Sequence, residues 1–288
     1  DIKFNVLYLY NVIKGGVKMQ DYIFQDEDLH QQIIAMDNTL TKKATKFSVE
    51  EQRLFYITLA SIKPDQKGNE IEIDKKAMFD MLGFKSHHYY SRIRGMFKKL
   101  AMASWIEFGD DEIFDDGFLI SAIRTTKKKV YVTIAAKYIP LLIQLQPGFT
   151  RLLSDDAISF KSKYSMLLYQ QLMRWSTKGI FGATTKQLKA LFGMTKEDYV
   201  YNGAFNRALF EKYTINIAIK DINEKSKCIR NLRYEKKKKG NRVQGYVFYY
   251  DYVDPNEFRP NYTKEVESDR AVNNAEQMEL EEFLKEFE

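Results

Sequence analysis

Apolar and polar positions follow two periods along this chain, and the points where the period changes divide it into elements. Residues 21–47 are polar with scattered apolar positions, and NTLTKKATKF reads as a loop or strand entering a domain. Ser48-Val-Glu-Glu51 has the form of a capping box, in which the hydroxyl serves the N3 amide and the glutamate reaches back. Phe55, Leu59 and Ile62 then mark one face of a helix that stops at Pro64. Glu70-Ile-Glu-Ile73 alternates as a short strand, Asp74 caps a helix running to Leu82, and Gly83 stops it. In SHHYYSRIRGMFKKLA, the residues Tyr90, Ile93, Phe97 and Leu100 share an inward face, while Ser91, Arg94, Gly95 and Lys98 look outward. Trp105 begins a strand, GDDEIFDDG is an acidic loop, and FLISAIRT and VYVTIAA are strands joined by TKKK.

The second half repeats this order. Tyr138–Leu145 reads as a short helix ended by Gln146-Pro-Gly148, where a domain boundary is expected. The segment SFKSKYSMLLYQQLMRWS is a helix with Tyr164, Leu167, Leu168, Leu172 and Trp175 facing inward. Ile180–Ala183 is a brief strand, and Thr184-Thr-Lys-Gln187 is a second capping box. Leu188, Leu191 and Phe192 follow before Gly193. A long helix is expected from Asn202, with Thr214, Ile215, Ala218, Ile219 and Ile222 on its buried face. Strands IRNLRYE and VQGYVFYYDY come next, separated by KKKKGNR.

Helix, strand, helix, helix and hairpin therefore occur twice, with Met81-Leu-Gly-Phe-Lys85 and Leu191-Phe-Gly-Met-Thr195 at equivalent places. This is the plan of an α+β protein made of two tandem winged-helix domains, mainly helical with β-hairpin wings. The expected spans are an N-terminal extension over 1–35, a first domain over 36–147, a second over 148–253 and an acidic tail over 254–288. In that tail Leu280, Phe283, Leu284 and Phe287 form a helical stripe.

Charge sharpens the picture. From Thr263 onward nine acids face three bases, a net −6, so the remainder of a chain whose total is +6 carries +12. A basic body with an acidic tail points to a polyanionic partner. In the second domain the outward candidates on the long helix are Arg207, Lys212, Tyr213, Asn216 and Lys220. Lys236, Lys237, Lys238, Lys239 and Arg242 surround the wing, and Lys161 and Lys163 precede and begin the earlier helix. In the first domain the candidates are Arg92, Arg94 and Lys98 on the helix and Lys127, Lys128 and Lys129 on the smaller wing. These residue types bond phosphates and base edges.

Hydrophobic residues at 44% and charged residues at 29% describe a globular chain. The single cysteine, Cys228, excludes an intramolecular disulfide and fits a reducing, cytoplasmic setting. No apolar run reaches the length of a membrane span. The opening DIKFNVLYLYNVIKGGVK is set aside from the fold, with Met19 as an alternative start.

An enzyme acting on DNA is the rival reading. His87 and His88 sit beside Tyr89 and Tyr90, but neighbours on a helix point about 100° apart. No further ligand cluster accompanies them, and no Walker-A, GxSxG or metal-spaced cysteine pattern is present. A DNA-binding protein with no catalytic site, metal or cofactor is therefore expected, with a repressor as one alternative and a rolling-circle nickase as another.

Phe160-Lys-Ser-Lys-Tyr-Ser-Met-Leu-Leu-Tyr169, continuing to Leu172 and Trp175, is similar to a helix of the iteron-binding plasmid replication initiator (Rep) proteins of bacteria. Ala218-Ile-Lys-Asp-Ile-Asn-Glu224 and Leu232-Arg-Tyr-Glu-Lys-Lys-Lys-Lys-Gly240 resemble that family's recognition helix and wing. The likeness spans about Leu40 to Tyr252. One departure is Glu211, Lys212 and Tyr213, where the family is often richer in arginine. The resemblance implies an initiator that binds direct repeats in double-stranded DNA at a plasmid origin. It also implies recruitment of a host initiator ATPase, helicase or helicase loader, and a monomer in equilibrium with a homodimer that represses its own gene and so bears on copy control.

Overall fold

In a computed structural model of the chain, the structure describes residues 32–43, 47–63, 66, 68–84, 92–107, 112, 115–142 and 149–258. The expected acidic tail from Arg259 onward, the His87–Tyr90 segment and most of the N-terminal extension lie outside the described residues.

The first unit begins with strand β1 (Ile33–Asp37) and helices α1 (Asn38–Lys43) and α2 (Val49–Ala60). Strand β2 (Glu70–Asp74) and helices α3 (Lys75–Met81) and α4 (Ile93–Ala103) follow. The wing region comprises β3 (Trp105–Ile106), β4 (Gly117–Phe118), β5 (Ile120–Thr125) and β6 (Lys129–Ile134). A 3-10 turn, Ala136–Tyr138, leads into the short α5 (Ile139–Leu142). The Ser48 capping box is present in full, with the Glu51 amide donating to the Ser48 hydroxyl and the Glu51 carboxylate accepting from the Ser48 amide. A cap of this kind is worth about 1 kcal/mol.

Several elements lie where no helix or strand is expected, β1 among them. Strand β7 (Phe149–Leu153) pairs antiparallel with β1, Ile33 opposite Leu153 and Asp37 opposite Phe149. Helix α6 (Ser154–Ser159) comes directly after it. The expected boundary near Gly148 thus falls just before a strand that reaches back to the start of the fold. NTLTKKATKF is neither loop nor strand at its beginning, because Asn38–Lys43 is helical.

The second unit continues with α7 (Lys163–Arg174), β8 (Ile180–Thr184) and α8 (Thr185–Leu191). A minimal hairpin, β9 (Val200–Tyr201) with β10 (Ala204–Phe205), comes next. The long helix therefore starts at Arg207, not Asn202. It consists of α9 (Arg207–Phe210), a π-helical turn over Glu211–Ile215, and α10 (Asn216–Lys225). Strands β11 (Ile229–Lys239) and β12 (Arg242–Tyr252) form the wing.

The two units share one topology. Three-stranded sheets run in the order β2-β6-β5 and β11-β12-β8, so in each the short strand that leads into α3 or α8 pairs with the second wing strand. The turn between the two middle helices is also repeated. Gly83 and Gly193 take φ of 70° and 65°, and the next amides, Phe84 and Met194, donate to the carbonyls of Phe79 and Lys189 at 2.9 Å. This is a left-handed C-terminal cap, which glycine adopts without a Cβ penalty. In the second sheet a Cβ on Gly245 would meet the Ala183 carbonyl oxygen at 2.7 Å, so β8 can approach β12 only over a glycine.

A single apolar core runs through both units, from Ile34, Phe55 and Val132 to Leu168, Phe210 and Phe248. The junction carries polar ties as well. The Arg53 guanidinium donates to the Phe160 carbonyl at 2.7 Å, and the Gln171 amide donates to the Thr41 carbonyl at 3.3 Å. No helix among the described residues is long and apolar enough to cross a membrane.

Candidate nucleic-acid interface

The long helix of the second unit owes its shape to its buried side. Asn206 caps it by accepting from the Leu209 amide at 3.1 Å. Phe210, Glu211, Thr214 and Ile215 are all buried across the π turn, and Ala218 and Ile222 continue the same face. The opposite face is left outward, with Lys212, Tyr213, Asn216 and Lys220 all exposed.

Glu211 ties the start of this helix to the wing. Its carboxylate accepts from Lys236 Nζ at 2.6 Å and from the Tyr246 hydroxyl at 2.9 Å. Burial and this carboxylate push the Tyr246 phenol well up, with Arg207 beside it acting in the opposite direction. Arg207 is half-buried, reaching the Thr185 hydroxyl at 3.4 Å and lying 5.9 Å from the centre of the Phe205 ring. Lys236 and Arg207 therefore sit at the root of the interface, holding helix and hairpin together.

Other contacts fix the register of the helix. The Tyr234 hydroxyl donates to Asn216 Oδ1 at 3.3 Å and orients that exposed amide. At the far end, Asn223 replaces the strand ladder where β11 bulges, donating to the Leu232 carbonyl at 2.9 Å and accepting from the Leu232 amide at 2.8 Å. Asp221 accepts from the Lys161 amide at 2.8 Å and pairs with Lys225 at 2.5 Å. This fastens the start of α7 beside α10, leaving Lys161 exposed and Lys163 half-buried next to the helix.

The wing is longer and more regular than a basic loop. The lysine run belongs to β11, Lys239 stands opposite Arg242, and only Gly240 and Asn241 form the turn. Lys238, Lys239 and Arg242 are exposed and Lys237 is half-buried. A bulge between Lys237 and Lys238 reorients the last residues of the strand.

The first unit has a smaller version of the same surface. Arg92, Arg94 and Lys98 are exposed on or beside α4, and Arg92 lies 4.0 Å from Glu50. Lys127 and Lys128 are exposed at the wing tip, whereas Lys129 pairs with Glu72 across the sheet. The buried Lys75 ties down the turn of this wing by donating to the Thr126 carbonyl, and its amide donates to the Lys128 carbonyl at 2.9 Å. The outward residues of both units therefore suit phosphate and base-edge contacts.

Sequence reasoning missed the anchoring roles of Glu211 and Tyr234. It also missed Leu209 and Ile217, exposed apolar residues on the long helix. The spacing of four between Leu209, Tyr213 and Ile217 was the available signal for the last two.

Comparison with known proteins gives a consistent result. A family model described as "Initiator Replication protein, WH1" matches residues 33–173, and one described as "Initiator Rep protein, WH2" matches residues 184–250. The fold is similar to that in a solved structure titled "Crystal structure of Pi initiator protein in complex with iteron DNA". The TM-score is 0.64 at 18% identity, covering 77% of this chain and 98% of that one. No curated protein matches the sequence.

Proposed function

The chain belongs to the initiator Rep protein family, and on that premise we propose that it starts plasmid replication by binding repeated origin sequences in duplex DNA. The observation that carries this reading is the doubled surface: each winged helix turns an exposed helix face and the tip of a basic wing outward. Two such units, divided near residue 147, suit two successive grooves of one repeat. In this reading the bound protein, acting in the bacterial cytoplasm, recruits a host initiator ATPase, helicase loader or helicase.

Asn216 is the base reader in this proposal. Its amide is exposed, oriented by Tyr234, and of the type that pairs bidentately with adenine. Asn216→Ala is expected to weaken specific binding by about 1–3 kcal/mol, roughly 5- to 150-fold, and to leave binding to unrelated duplex nearly unchanged. Competition titrations on both DNAs measure this, and an equal weakening on both would reduce Asn216 to a positioning contact.

A monomer on direct repeats and a self-repressing dimer on an inverted operator complete the proposal. Strand β5 is the outer strand of its sheet among the described residues and offers an edge for a second chain. Ile120 is buried, so a charge there would damage the core; Ala122 is exposed and is the better probe. Ala122→Lys is expected to give a monomer across a concentration series in sedimentation, with binding to direct repeats retained. A variant that still dimerises like the parent would remove this edge from the interface.

A further inference from the structure

Three apolar side chains stand out on the long helix of the second unit. Leu209, Tyr213 and Ile217 are 38%, 46% and 41% exposed. They are spaced four residues apart, and Lys212, Asn216 and Lys220, each three residues further along, are exposed beside them. The outward face thus carries an apolar row against a polar, cationic row. Burying such a face against an apolar protein surface would desolvate Lys212, and Lys220 together with its partner Glu224 at 3.8 Å, which is costly. A DNA major groove meets both rows, with phosphates and acceptor edges for the cations and thymine C5-methyl groups for the apolar side chains.

Resting on the duplex-DNA reading above, we propose that Tyr213 and Ile217 read thymine C5-methyl groups, so that the recognised repeat carries A·T pairs where these side chains enter the groove. The neighbouring Asn216 supports the assignment chemically. An amide suited to adenine N6 and N7 lies between two apolar side chains suited to the methyl of thymine, and adenine and thymine edges occur together in A·T steps. Tyr213 is braced for contact, with Lys212 Nζ 5.1 Å from its ring centre. Thymine is the base that presents a methyl in the major groove, so this row adds a discrimination that hydrogen bonding alone does not supply.

The test uses the full chain and the best-binding duplex it selects from a randomised library. Each thymine is replaced in turn by deoxyuridine, which removes the methyl and keeps the pairing edge. One or two positions are expected to lose affinity about fourfold each, the equivalent of about 0.8 kcal/mol for one buried methyl group. Ile217→Ala, an exposed truncation checked for folding by circular dichroism, is expected to bind the thymine and uracil forms of one such position equally. Tyr213→Ala is expected to do the same at another. Deoxyuridine duplexes that all bind like the parent, or a methyl effect that persists undiminished in both variants, would overturn the proposal while leaving sequence-specific binding intact. A selection that enriches no sequence would overturn the DNA-reader assignment itself.

Discussion

Replacing Lys237, Lys238, Lys239 and Arg242 together by glutamine is expected to weaken DNA binding by roughly 10³- to 10⁴-fold at about 0.1 M salt. Each cation that neutralises a phosphate releases counterions and contributes ~0.9 to the slope of log affinity against log salt. Removing four such cations should flatten that slope by about 3.6. Because phosphates carry no sequence, the weakening should fall alike on specific and unrelated duplexes. The wing geometry supports an effect of this size. These residues lie at the end of a paired ribbon with a two-residue turn, so their charges are held in one place and not averaged over a loose loop. Lys236 is the contrasting position. Its ammonium holds Glu211, so Lys236→Gln is expected to lower the unfolding midpoint while leaving the salt slope nearly unchanged. Titrations across a salt series decide between these, and an unaltered slope in the fourfold variant would mean that the wing is merely solvated.

Asp156→Ala is expected to destabilise the fold by about 3–5 kcal/mol in urea unfolding. The carboxylate is 1% exposed and organises the turn that leads from α10 into β11. It accepts from the Ser226 hydroxyl at 2.6 Å, the Lys227 amide at 2.9 Å and the Cys228 amide at 3.0 Å. The Ser226 oxygen in turn accepts from the Ile229 amide at 2.9 Å. Truncation leaves these donors without a partner at the point that sets the long helix against the wing, so DNA affinity should fall with stability. Burial holds the Asp156 carboxyl above its ordinary 3.8, outweighing the Ser226, Lys227 and Cys228 donors that pull it down. With the folded value raised, the contribution is full below the unfolded value and is lost as pH rises through the folded one. The gap between wild type and variant should therefore be widest in acid and narrow as pH increases from about 4. A variant within about 0.5 kcal/mol of wild type at every pH would show that the turn is held by other interactions.

Much of the fold was legible because local chemistry and global structure agree. The two capping boxes, the glycine stops at Gly83 and Gly193, and the alternation in Glu70–Asp74 each act over a few residues, and each appears as read. The β1–β7 pair was not legible. Ile33, Ile34, Ala35 and Met36 are all buried, so the strand shows no two-residue period, and its partner lies more than a hundred residues away. The anchoring of Glu211 was hidden for a related reason, since its partners Lys236 and Tyr246 lie in a different element. The same pairing explains why four consecutive lysines read as a loop yet form a strand. One of them is neutralised from the helix, and the ladder to β12 holds the others. In the candidate site, exposure followed from helical spacing for Lys212, Tyr213, Asn216 and Lys220. It did not distinguish a cation that faces solvent from one, such as Arg207, that packs at the root.

Footprinting the full chain on the DNA adjoining its gene tests the central claim most directly. An array of protected direct repeats is expected, each touched in successive major grooves, with protection lost when the wing cations are neutralised. A single protected inverted operator with no repeats would indicate a repressor, and metal-dependent nicking of supercoiled origin DNA would indicate an enzyme. Either result would contradict the initiator assignment.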